Sequence, residues 1–183
     1  MFQKRAHKRI SKHLAISSRS GTQSVAQVTR ELMELIKDAL WSVIIMSGTM
    51  RSSVYCDDGL ISAMEEARER GVFFRFIVGP EPDLNTLRRL KAFWNSLFVT
   101  DKRPAQHFAV IDGRAVRYEK FHPDVEGVRV NTILKNAPLS AGELVKISEE
   151  SMSSKERVTL KVETWMRKVK GEQWMQEKGF VID

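Results

Sequence analysis

The sequence is short of the residues that would staple a fold or cross a bilayer. A single cysteine, Cys56, stands in 183 residues, which excludes an internal disulfide and a multi-cysteine zinc site and suits a reducing compartment. The longest apolar runs, such as residues 43–46, are far too short to span a membrane. No apolar segment near the start has the form of a secretory signal. Acid is also missing at one end, since the first carboxylate is Glu31. Seven of the 30 Lys and Arg side chains precede it, which leaves 23 to face 23 acids over residues 31–183. The net charge of +7 therefore sits entirely at the start of the chain. Such a basic arm seeks phosphate, on nucleic acid or on an anionic membrane.

What is present fits one compact domain behind that arm. Residues 1–22 form the arm. Phe2, Ala6, Ile10 and Leu14 recur among Lys4, Arg5, Lys8, Arg9 and Lys12, the pattern of a basic amphipathic helix. A solvated tail and an organelle transit peptide are the competing readings. Ser17 to Gly21 reads as a hinge.

From residue 23 the pattern is that of a folded α/β domain. Val25, Val28, Leu32, Leu35, Ile36 and Ala39 make one face of a helix ending near Leu40. Residues 42–47 read as a buried strand, 48–58 as a polar loop, and 59–70 as a helix stopped by Gly71. A strand at 72–78 closes at Gly79-Pro80. Leu84, Leu87, Leu90 and Trp94 line a third helix, and 97–100 is a short strand. This alternation implies right-handed crossovers and a largely parallel sheet covered by helices. Residues 128–134 add a strand, and Ser140 with Glu143 reads as a capping box. Apolar positions from Val158 to Val169 suggest a last helix over 155–170, with β-branched residues weakening its start. The final dozen residues carry no clear pattern.

The stretch that organises the rest runs Ala105-Gln-His-Phe-Ala-Val-Ile-Asp-Gly-Arg-Ala-Val-Arg-Tyr-Glu-Lys-Phe-His122. It reads as two short strands joined at Asp112-Gly113, a strong hairpin signal. In the order of its surrounding elements it resembles the signature region of the phospholipase D-like superfamily. There a His-x-Lys-x4-Asp motif lies on such a strand, ends at an Asp-Gly turn, and is followed by Gly-Ser-x-Asn. With Asp112 as the motif's aspartate, Ala105 takes the place of the nucleophilic His and His107 that of the Lys. Residues 119–122 take the place of Gly-Ser-x-Asn, with His122 at the Asn.

The resemblance implies an α/β phospholipase D-like sandwich, a mostly parallel mixed sheet flanked by helices. It also implies phosphodiester chemistry on lipids or nucleic acids, with two motifs meeting in one site, so that a one-motif chain would pair as a homodimer. That chemistry needs an imidazole to attack phosphorus and another to protonate the leaving oxygen. Ala105 cannot attack. His107 shares its strand face, one pleat displaced. His107, Asp112 and His122 are therefore the candidate catalytic residues, against plainer readings as a core histidine, a turn residue and a loop residue.

The candidate phosphate-binding residues are Lys4, Arg5, Lys8, Arg9 and Lys12 of the arm, with Arg114, Arg117 and Lys120 of the hairpin. Alternation puts Arg114 and Lys120 on one face and Arg117 on the other. No cofactor motif is apparent, and no metal site either: Glu149 and Glu150 are helix neighbours that point apart. The expectation is a non-catalytic phospholipase D-like module, homodimeric and cytoplasmic, that binds nucleic acid through its arm with weak sequence preference. One alternative is a phosphodiesterase with His107 in its site. Another is a protein of the anionic membrane surface, with Phe2, Ile10 and Leu14 inserted.

Overall fold

A computed structural model describes residues 21–104, 106–119, 129–134, 137–153 and 159–180. The chain order is β1 (Gly21–Gln23), α1 (Val25–Lys37), β2 (Ser42–Ser47), α2 (Ser52–Tyr55), α3 (Asp58–Glu69), β3 (Phe73–Val78) and α4 (Leu84–Arg89). A 3-10 helix (Lys91–Ser96), β4 (Leu97–Thr100), β5 (His107–Ile111), β6 (Ala115–Glu119) and β7 (Arg129–Leu134) follow. The chain continues through α5 (Pro138–Ser153), β8 (Thr159–Lys161), α6 (Val162–Lys170) and α7 (Glu172–Glu177).

The eight strands form one sheet in the order β1-β7-β6-β5-β2-β3-β4-β8. Parallel pairing is confined to β2, β3 and β4, the strands linked by helical crossovers. The hairpin β5–β6 and its neighbour β7 pair antiparallel, and β5 joins β2 antiparallel. The result is a mixed sheet flanked by helices, with its parallel part at the centre.

Strand alternation divides the core. Val43, Ile45, Phe74, Phe76, Ala109 and Ile111 face a large cluster under α1, α3, the 3-10 helix and α6. Ile44, Met46, Ile77, Phe108, Val110 and Tyr118 face a smaller cluster closed by Ala141, Leu144 and Ile147 of α5. Helix α1 is opened by a capping box, Ser24 with Gln27, and buries Val28, Leu32, Leu35 and Ile36.

Several expectations shift. Gly21 and Thr22, counted with the arm, pair with β7 and belong to the sheet; residues 1–20 of the arm lie outside the described residues. The polar loop after β2 contains α2, because the Asp83 carboxylate accepts the Ser52 N–H at 2.9 Å and Val54 and Tyr55 are buried. The helix of Leu84 to Trp94 breaks into α4 and a 3-10 turn, with Phe93 and Trp94 buried. Ser140 does not cap α5. That helix begins at Pro138, whose ring favours a first helical position, and Ser140 is buried inside its first turn. The helix expected over 155–170 starts only at Val162, because Thr159 to Lys161 pair with the edge of β4. The patternless end holds α7, and Phe180 stacks between Trp94 and Trp174.

Two aspartates act as clamps. Asp112 takes up φ 52° at the hairpin turn, a left-handed conformation that Asp tolerates better than most residues. Its carboxylate accepts the N–H groups of Leu40 (3.0 Å), Trp41 (2.9 Å) and Ser42 (2.9 Å), tying the turn to the start of β2. Asp112→Ala is expected to cost about 2–4 kcal/mol in urea unfolding, and Asp112→Asn less, since it keeps one acceptor and the turn conformation.

Asp83 caps α4 through Asn85 and Thr86 while holding Ser52. Burial works to raise its carboxyl, but the hydrogen bonds from Ser52, Thr86 and Asn85 outweigh it and leave the pKa below the usual value. A depressed folded-state pKa means stability that is present above the unfolded pKa and lost as pH falls through the folded one. The melting temperature should therefore drop below about pH 4. Asp83→Asn should flatten part of that fall while lowering stability at neutral pH.

Candidate functional site

The carboxyl ends of β2, β3 and β4 meet the start of β5 and the end of β6 along one edge of the sheet. Ligands of open α/β sheets bind at such an edge. The backbones approach closely there. Gly79 donates to the carbonyls of Ser47 (3.2 Å) and Gly48 (2.9 Å), and a Cβ on Gly79 would lie 2.5 Å from the Gly48 oxygen. A Cβ on Gly48 would fall 2.9 Å from His107 Nε2 and 3.1 Å from Arg103 Nε. Both positions need glycine for space.

His107, first residue of β5, lies at the centre of this edge. Its Nε2 accepts the Gly48 N–H at 3.0 Å. Its Nδ1 faces Glu119 Oε2 at 3.3 Å, across the β5–β6 pair that sets His107 opposite Glu119. An acceptor at Nε2 and a carboxylate at Nδ1 assign the proton to Nδ1. Glu119 Oε1 accepts from Arg117 at 2.9 Å. Arg117 and Glu119 are 4% and 5% exposed, so the pair is a buried one, and Arg117 Nε has no partner among the described residues. Buried charges of this kind are held by each other; removing one strands the other.

This geometry sorts the candidates. Asp112 lies at the far end of β5 from His107, with its oxygens occupied by backbone N–H groups. Arg114 is exposed at that same far end. Arg117 is corrected as a phosphate ligand: its guanidinium is buried and bonded to Glu119, where no polymer backbone can reach it. His122, Lys120, Ala105 and the arm's Lys4, Arg5, Lys8, Arg9 and Lys12 lie outside the described residues. Glu119 and Gly48 were missed. The pairing of 107 with 119 follows from a two-residue turn at Asp112-Gly113 and was legible; the Gly48 contact is tertiary and was not. Among the described residues no three His, Cys, Asp or Glu side chains converge as a metal site.

Family models and curated proteins give no match to the sequence, but solved structures do. Nuc from Salmonella typhimurium, a phospholipase D family member, superposes with a TM-score of 0.57 at 14% identity, over 73% of this chain and 92% of that one. The fold is phospholipase D-like. NucT from Helicobacter pylori gives 0.54 at 11% identity, over 75% of this chain and 98% of its own. TrmBL2, an archaeal chromatin protein whose structure shows a mode of DNA binding, gives 0.53 at 15% identity, over 80% of this chain and 60% of its own.

Within this phospholipase D-like fold, both ring nitrogens of His107 are engaged. An attacking imidazole needs a free lone pair, and here that lone pair accepts the Gly48 N–H. Nitrogen-15 spectra at neutral pH should find His107 protonated at Nδ1 and bare at Nε2. Glu119→Ala, which strands Arg117, should cost about 3–5 kcal/mol on unfolding.

Proposed function

We propose that the protein is a non-catalytic phospholipase D-like module that binds nucleic acid, drawing affinity from the basic arm. The observation that carries the loss of catalysis is the His107 ring, with Nε2 bonded to Gly48 and Nδ1 to Glu119. Ala105, at the place of the family's nucleophile, offers no replacement. Nucleic acid is favoured as partner by charge placement. The arm gathers Lys4, Arg5, Lys8, Arg9 and Lys12 without an acid, and such clusters bind phosphates by releasing counterions. The similarity to a DNA-binding chromatin protein agrees with this choice.

The test uses labelled DNA and RNA oligonucleotides on native and denaturing gels. Shifted, intact strands are expected. Deleting residues 1–20, which spares β1, should weaken binding and lower the salt slope by roughly 0.9 for each phosphate no longer neutralised. Unchanged affinity after that deletion removes the arm from the mechanism. Strand cleavage that depends on His107 overturns the non-catalytic reading in favour of a phosphodiesterase.

A further inference from the structure

At the sheet edge opposite His107, the surface has a different character. Of the five large hydrophobic side chains that are exposed among the described residues, Leu40, Trp41, Phe73 and Leu139 gather at this end. Trp41 is 62% and Phe73 52% exposed. The Phe73 N–H donates to the Trp41 carbonyl at 2.8 Å, so the two residues are fixed as neighbours where β2 and β3 begin. Leu139 follows Ala137, whose N–H bonds the Arg114 carbonyl at the hairpin turn. Large apolar groups clustered in water mark a binding surface more often than an accident.

The rings are presented rigidly and among cations. The Asp112 carboxylate holds the N–H groups of both Leu40 and Trp41. The Arg75 guanidinium lies over the Phe73 ring, 5.6 Å from its centroid. Arg70 is anchored to the carbonyls of Lys37 (3.1 Å) and Ala39 (3.4 Å), just before Leu40. Arg114 is exposed beside the clamp. Of the acids at this end, Asp112 has its oxygens taken by backbone donors, leaving Asp38 and Glu69 against Lys37 and the three arginines.

We infer that this edge is a second binding surface, specific for single-stranded nucleic acid, in which unpaired bases stack on Trp41 and Phe73 while Arg70, Arg75 and Arg114 meet the phosphates. Exposed aromatic rings with arginines around them bind bases of any sequence, and only bases free of a duplex present their faces. Paired bases have no face to offer. The inference rests on the nucleic-acid function proposed above and names its substrate class.

The experiment measures affinity of the full chain for a fluorescent oligothymidine and for a duplex of equal length. Trp41→Ala, Phe73→Ala, Trp41→Phe and the deletion of residues 1–20 are compared with the parent chain. Tighter binding of the single strand is expected. Each alanine variant should weaken it by roughly five- to a hundredfold, with duplex affinity and melting temperature unchanged, and Trp41→Phe should retain most of it. Equal binding of both forms, indifferent to Trp41 and Phe73, overturns this inference and leaves the arm-based function standing. No binding of either form overturns both. Binding of phosphatidylserine vesicles that is lost in Trp41→Ala, with oligonucleotide affinity unchanged, reassigns the surface to a membrane and overturns the inference.

Discussion

Three backbone N–H groups bonded to one carboxylate hold this fold in register. Asp112 joins the β5–β6 turn to the first residues of β2, so β5 lies against β2 with Ile111 opposite Val43. A strand repeats its side-chain direction every second residue, and a slip of one would turn every residue to the other face. With one end anchored, the other end is determined. His107 arrives beside Gly48, and Glu119 arrives beside His107. The same carboxylate also stiffens Leu40 and Trp41, so the two ends of one strand pair serve different surfaces.

The phospholipase D-like strands were legible because hydrophobic periodicity and turn chemistry are local. The strand at 42–47 and the short strand at 97–100 stand where the sequence places them. Asp112-Gly113 announces its hairpin, and the pairing of His107 with Glu119 needs no more than that turn. Elements that depend on distant partners were not legible. Helix α2 exists because Asp83 reaches back to Ser52, and β8 exists because β4 leaves an edge for it. Local propensity is silent about both.

The site divides in the same way. The absence of a nucleophile at Ala105 is plain in the letters. The engagement of His107 is not, because its partner at Nε2 is a backbone N–H from a loop 59 residues earlier. Arg117 misled for a related reason: an arginine on a hairpin reads as a surface charge until a buried Glu119 on its own strand is seen to hold it. Buried pairs of opposite charge are invisible to composition and pattern, since each member alone looks solvent-loving.

The Gly48–His107 contact makes the motif strand hard to rewrite. Putting in the family's letters, with histidine at 105 and lysine at 107, would set an ammonium where an acceptor is needed. Lysine has donors and no acceptor. The Gly48 N–H would lose its partner and face another donor, in a place where a Cβ already has no room. Such coupled positions do not change independently. Each residue makes its neighbour's alternative unfit, so the path to the family's motif passes through chains less stable than either end. The loop after β2 thus behaves as a ratchet on the motif strand.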